Sequence, residues 1–225
     1  MGCKNWLNRL FFVNLHDYRL TMRWKTIYMV LLAISVAFAA GCSDDEIDVA
    51  DSQRNAIVGY LTSSHDPRLI NVSDVPNSMV PNPPFYERLE YDTFRYIASY
   101  YDEGRDNRRT IAYGDEVSLT YMACSFTGGQ PSLAGVYATN DASVLSQLRE
   151  AGLNTEYWSV EPLRVKIGET NIIKGVELSL IGCREGDVVE VYMTFDAAYG
   201  DDVVGVVAQE ASVVWYYTID SVVAQ

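Results

Sequence analysis

The second half of the chain predicts an α+β fold, a small antiparallel sheet with one short α-helix packed across it. Apolar and polar residues alternate in four separate segments, the period of a strand with one buried face. Among them a single stretch, residues 172–181, carries apolar residues at helical spacing. A sheet with one apolar face and a helix with one apolar stripe leave water together only by packing on each other. A third observation concerns the other end: residues 1–41 differ in composition from all that follows and have the make-up of an export signal.

The 225 residues are 48% apolar and 21% charged, enough for one domain of ordinary size with residues to spare. The chain has 30 acidic residues against 17 basic ones, a net charge of −13. That balance argues against a nucleic-acid partner, because binding phosphates needs a surplus of Lys and Arg. His16 and His65 are the only histidines. A histidine-rich metal site, or a Ser-His or Cys-His catalytic pair, is hard to build from them, and no metal or cofactor is expected. The cysteines Cys3, Cys42, Cys124 and Cys183 are too few and too far apart for a zinc ribbon or a disulfide-stapled miniprotein.

In chain order the first element is the signal. Arg23 and Lys25 lead into an apolar run of 14 residues, Ile27 to Ala40, closed by Gly41 and Cys42. A membrane-spanning helix needs about 20 such residues, so this run, with its small-residue exit, is expected to be cleaved. Ala39, Ala40 and Gly41 before Cys42 resemble the lipobox of bacterial lipoproteins, in which the cysteine is acylated and becomes the new N-terminus; Ala39 stands where leucine is usual. Ser43-Asp44-Asp45-Glu46 resembles the acidic tag of surface-exposed lipoproteins of Bacteroidota, or simply opens a solvated linker. The resemblance implies a lipid anchor on Cys42 that holds the protein to the outer membrane of the cell envelope. Met22 would open such a signal well, so residues 1–21 are expected to be an over-extended start. Removing residues 1–41 takes away five basic residues (Lys4, Arg9, Arg19, Arg23, Lys25) and one acid (Asp17), leaving 12 against 29, near −17.

Residues 42–92 are expected to form an acidic, proline-containing tether leading into a domain at 93–225. Pro67, Pro76, Pro81, Pro83 and Pro84 break any sustained period. Residues 51–63 have the pattern of a short amphipathic helix with Ile57, Val58 and Leu61 on one face, and His65 has no evident partner. Phe94, Ile97 and Tyr101 are spaced as on a helix, but the Thr, Phe and Tyr content favours a strand from about Thr93.

The alternating strands follow. Val117, Leu119 and Tyr121 form one apolar set; Leu163, Val165 and Ile167 a second; Val189, Val191, Met193 and Phe195 a third; Val213, Trp215, Tyr217 and Ile219 a fourth. Ile173, Val176, Leu180 and Ile181 share a helical face, with Gly182 where a C-terminal cap belongs. Residues 141–151 predict a further short helix with Asp141 as N-cap and Val144, Leu145 and Leu148 on one side.

Tyr113-Gly114-Asp115-Glu116-Val117, Gly168 followed by Ile172-Ile173-Lys174-Gly175-Val176-Glu177, Gly186-Asp187 and Asp196-Ala197-Ala198-Tyr199-Gly200 occur in that order. The succession resembles the FKBP-type peptidyl-prolyl isomerases. The resemblance implies a twisted antiparallel sheet wrapped over one short helix, here with an inserted helix. It also implies a pocket: Tyr121 from a strand; Tyr199 as hydrogen-bond donor to a bound carbonyl; Ile172 and Ile173, the second offering its backbone N–H; Trp215 in place of a phenylalanine; and Val206 and Val207 on an overhanging loop. Tyr137 and Ala138 correspond to the family's Phe-Asp pair, so the pocket aspartate is missing. Val176 replaces the usual tryptophan at the floor, and Leu163 after Pro162 replaces a phenylalanine. Between Tyr137 and Pro162 lie about fifteen residues more than in a minimal member, including Tyr157-Trp158, expected beside the pocket rim.

Rotating an X-Pro bond means losing amide resonance, a barrier of about 20 kcal/mol. Nothing covalent is required; an apolar, partly dehydrated pocket with a few donors suffices. The implied function is isomerisation of proline-containing polypeptides outside the cytoplasm by a monomer. Two other readings stay open: a binding or chaperone module without turnover, favoured by Ala138 and Val176, and a surface protein whose insertion contacts another component. Cys124 and Cys183 are either buried thiols or one disulfide.

Overall fold

The structure, a computed structural model, describes residues 48–76 and 82–225. The signal, the proposed start at Met22 and Cys42 lie outside the described residues. Residues 48–225 form one compact unit. Among the described residues no helix is long and apolar enough to cross a membrane.

Helix α1 spans Val49–Ser63. Its N-cap is Asp48, whose carboxylate accepts from the Ala50 N–H at 3.0 Å, satisfying one of the donors that a helix start leaves unpaired. Strands β1 (Ile70–Asn71), β2 (Phe85–Leu89), β3 (Thr93–Ile97) and β4 (Glu116–Ser125) follow, then β5 (Val136–Thr139), helix α2 (Ala142–Glu150) and β6 (Leu163–Lys166). Helix α3 (Lys174–Leu180), β7 (Val188–Met193) and β8 (Val213–Val223) complete the fold. One sheet runs in the order β1-β2-β3-β7-β8-β4-β5, with β6 also paired to β4. All pairs are antiparallel except β1 with β2. β6 takes the first half of one edge of β4, Glu116 to Leu119, and β5 takes the second half, from Met122 to Cys124. The α+β architecture with an inserted helix is the one the resemblance implied.

The elements begin and end where local chemistry dictates. Asp141 caps α2, accepting from the Ser143 and Val144 N–H groups at 2.7 and 3.3 Å. Gly182 follows α3 with φ +87°, the left-handed conformation that glycine adopts after a helix. Ile181 leaves the helix in an extended conformation and is 40% exposed, so it does not belong to the buried stripe of Val176 and Leu180. Asp187 is fully buried and held by two hydrogen bonds from Arg105, at 2.8 and 2.7 Å, which locks the 102–109 connection to the start of β7.

Two corrections concern the segment expected to be a tether and the strands expected to be wet on one side. Ile57 and Leu61 of α1 are fully buried, in a core with Leu69, Tyr86, Phe94, Tyr192 and Val214. The described part of residues 42–92 is therefore built into the fold, and α1 covers the sheet face that α3 does not. β3 is buried at every position. Tyr192, counted on the polar side of its strand, has no exposed surface. The reason is chemical: the second face is lined mainly with tyrosine, phenylalanine, cysteine and methionine, whose alternation with valine and tryptophan does not register as a second apolar period. His65 is likewise buried, beneath α1. Cys124 and Cys183 are free buried thiols. They belong to the cores on opposite faces, and burial pushes their thiols up to about 11 and about 12.

Candidate functional site

The face of the sheet that α3 covers carries nearly all the expected pocket residues. Trp215 on β8 is buried in its core together with Val176 and Val207. Tyr121, Tyr137, Ala138, Leu163, Ile172, Ile173 and Tyr199 are partly buried against the same core. Val206 is the exception: it is 61% exposed while its neighbour Val207 is buried. Val206 sits at the tip, and Val207 at the end, of a tight turn in which Val204 and Val207 exchange N–H···O bonds of 3.0 and 2.9 Å. Gly205 makes the turn possible at φ +59°, a region costly for side chains with a Cβ.

Four aromatic rings form the centre of the site. Tyr121 stacks on Trp215, ring centres 4.6 Å apart and planes 10° from parallel. This follows from register: Tyr121 faces Tyr217 across the β4–β8 pair and Trp215 faces Ala123, so the two large rings are diagonal neighbours on one face. Tyr137, from β5, approaches from the other side. Its hydroxyl accepts a 2.7 Å bond from Trp215 Nε1 and a 3.3 Å bond from the Tyr199 hydroxyl. The Tyr137 and Tyr199 rings meet edge to face at 5.8 Å. Burial holds Tyr121, Tyr137 and Tyr199 above the ordinary phenol range, so all three are neutral hydroxyls at physiological pH. The Ile173 N–H makes no hydrogen bond among the described residues and is available to a ligand carbonyl.

A cavity of about 600 Å³ opens between β5, β6 and the insertion. Of the expected residues, Tyr121, Tyr137, Ala138 and Leu163 line it; the insertion adds Tyr157, Trp158 and Glu161. The insertion thus lies at the rim, as expected. Ile172, Ile173, Val176, Tyr199, Val207 and Trp215 lie off this cavity, in or against the core behind it. Ala138 leaves the cavity without a carboxylate at that position, and Val176 puts an aliphatic side chain in the core where an aromatic ring was the family's choice.

Asn140 is a residue that sequence reasoning missed. Its side chain accepts from the Tyr121 N–H at 2.7 Å and donates to the carbonyls of Leu119 and Glu161, at 2.8 and 3.0 Å. It ties the start and end of the insertion to the centre of β4. One asparagine ahead of a capping Asp141 carries no signal that would single it out.

A model of the family FKBP-type peptidyl-prolyl cis-trans isomerase matches residues 147–219. The match runs from within α2 through most of β8 and includes the loop bearing Tyr199. The chain carries an FKBP-type domain. No curated protein matches the sequence. The matched part of the FKBP-type domain contains Leu163, Ile172, Ile173, Val176, Tyr199, Val206, Val207 and Trp215. Tyr121, Tyr137 and Ala138 precede it and join the same cluster through the pairing of β4 with β5 and β8.

Proposed function

We propose that the FKBP-type domain is a peptidyl-prolyl cis-trans isomerase acting on proline-containing segments of exported polypeptides. The observation that carries this is the cluster of Tyr121, Trp215, Tyr137 and Tyr199, apolar in its walls and fitted with hydroxyl donors, next to a cavity. Apolar walls favour a peptide bond that has lost its charge separation as it twists, and donors fixed in place hold the flanking carbonyls without reorganising. The Ile173 N–H and the hydroxyls of Tyr121 and Tyr137 supply those donors, with the Tyr199 hydroxyl engaged on Tyr137. No bond is made or broken and no cofactor takes part.

The test is exchange NMR or a protease-coupled assay on proline peptides with residues 43–225, a span that contains the whole compact unit. Acceleration at micromolar protein is expected. A rate equal to the uncatalysed one overturns the enzyme reading. Ala138 and Val176 favour a second reading, a groove that binds such peptides without turnover, which saturable peptide binding at the uncatalysed rate would support.

The proposal extends to place and partners: a monomer anchored in the cell envelope by a lipid on Cys42, meeting its clients outside the cytoplasm. The lipobox-like Ala39-Ala40-Gly41-Cys42 supports it. Intact mass of the membrane-fraction protein is expected to begin at an acylated Cys42; an unmodified cysteine with residues 22–41 retained overturns it.

A further inference from the structure

Among the tyrosines of the site, one hydroxyl differs in how its proton is placed. The indole N–H of Trp215 can only donate, so at 2.7 Å the oxygen of Tyr137 must accept. Tyr199 donates to the same oxygen at 3.3 Å. Tyr137 therefore accepts twice and keeps its own proton, and among the described residues no acceptor receives it. Each accepted bond polarises the O–H further and makes it a stronger donor. The proton of Tyr199, by contrast, is engaged with Tyr137. Tyr137 and Tyr121 line the cavity, whereas Tyr199 does not; of the two, only the Tyr137 hydroxyl accepts hydrogen bonds among the described residues and is polarised by them.

We propose that Tyr137 is the principal hydroxyl donor to a carbonyl oxygen of the bound proline-containing peptide, with Trp215 and Tyr199 as positioning residues that orient and polarise it. This rests on the proposed function, since it takes a proline peptide as the ligand. The hydroxyl stands one residue before Ala138. The donor strength of the site thus comes from a chain of neutral groups, Trp215 and Tyr199 into Tyr137, at the edge where the carboxylate is absent.

The experiment titrates residues 43–225 with an Ala-Leu-Pro-Phe peptide, following the Trp215 indole N–H resonance, assigned with Trp215→Phe. In the wild type the signal is expected to shift saturably, because its acceptor gains a ligand. Tyr137→Phe is expected to weaken binding about tenfold, the scale of one buried hydrogen bond, and Tyr199→Phe only about two- to threefold. If Tyr137→Phe fails to fold, the nearly isosteric 3-fluorotyrosine at position 137, a more acidic phenol, is expected to bind the peptide more tightly than wild type. Equal affinity of wild type and Tyr137→Phe, or unchanged affinity with the fluorotyrosine, overturns the assignment alone. A larger loss in Tyr199→Phe than in Tyr137→Phe returns the donor role to Tyr199. A wild type that neither binds the peptide nor accelerates its exchange overturns this assignment and the proposed function together.

Discussion

Both faces of the sheet carry a cluster of aromatic rings, and the two clusters treat their polar atoms in opposite ways. Beneath α1, Tyr60, Phe126 and Tyr192 pack with ring centres 5.3 to 5.8 Å apart. Tyr192 donates to Glu190 at 2.7 Å, and His65 is bonded to the same carboxylate oxygen at 3.0 Å and to the Pro67 carbonyl at 2.5 Å. Every partner of this network lies within the fold. On the α3 face, Trp215 is buried but Tyr121, Tyr137 and Tyr199 are only partly closed off; Tyr137 lines a cavity, and among the described residues no acceptor receives its proton. A cluster whose donors are paired internally contributes stability; one that leaves a donor open offers binding. Residue type alone does not separate the two.

The largest expected effect comes from opening the closed face. Leu61→Ala should lower stability by about 2–5 kcal/mol, the range for a large buried side chain replaced by alanine, measured by denaturant unfolding, while peptide affinity of the folded protein stays unchanged. A loss of affinity at full stability would break the division between the faces. The second effect is a pH dependence. Burial opposes the charged imidazole of His65, but the Glu190 hydrogen bond, the Pro67 carbonyl and the charges of Glu190 and Asp66 outweigh it and raise its pKa. A group whose folded pKa is raised binds its proton more tightly when folded. Its contribution is fully present below the ordinary value of 6.5 and is lost as pH rises through the raised one. Melting temperature should therefore fall as pH rises above that point, and Glu190→Gln should flatten the slope. An equal slope in Glu190→Gln would remove the pair from the account.

Smaller effects belong to the open face. Ala138→Asp should raise exchange of a proline peptide several-fold if the missing carboxylate limits it, with thermal stability changed by little. Gln53→Ala should have the smallest effect and sharpens the comparison most. Gln53 sits on α1, yet its side chain accepts from the Phe195 N–H at 2.9 Å and donates to the Glu210 carbonyl at 2.6 Å, the two ends of the loop that carries Tyr199, Val206 and Val207. Peptide affinity should drop about twofold, on the scale of half an ordinary hydrogen bond, with melting temperature nearly unchanged. The reverse pattern would make Gln53 an ordinary part of the closed face.

How much of this was legible in the sequence differs between the same two faces. Trp215 and Tyr121 lie on strands that the sequence predicts, because both strands are long and have a clean period of two, and Tyr199 is legible as a loop residue because it stands in a motif of fixed order. Asp141 announced α2 by capping chemistry that is local. The α1 face was not legible. Ile57 and Leu61 gave a helical stripe, but nothing local says what a stripe packs against, and the partners Phe94, Tyr192 and Val214 are far along the chain. Nor was the hub at Tyr137: its two donors come from residues 62 and 78 positions away, brought together only by the pairing order of the sheet.

The clasp at Asn140 has a practical consequence. Because its amide joins the Leu119 carbonyl to that of Glu161, the insertion leaves the sheet and returns to it at nearly one point. Loop-closure entropy grows only slowly with length, so the exposed loop after α2 can be lengthened at little thermodynamic cost, provided the buried Leu145 and Leu148 of α2 are kept. Gly152, at φ +91° with open space around its Cα, is a natural splice point. An affinity tag or a second recognition module grafted there would project from the insertion, a few residues before the Tyr157-Trp158 rim of the cavity, without entering the strand register.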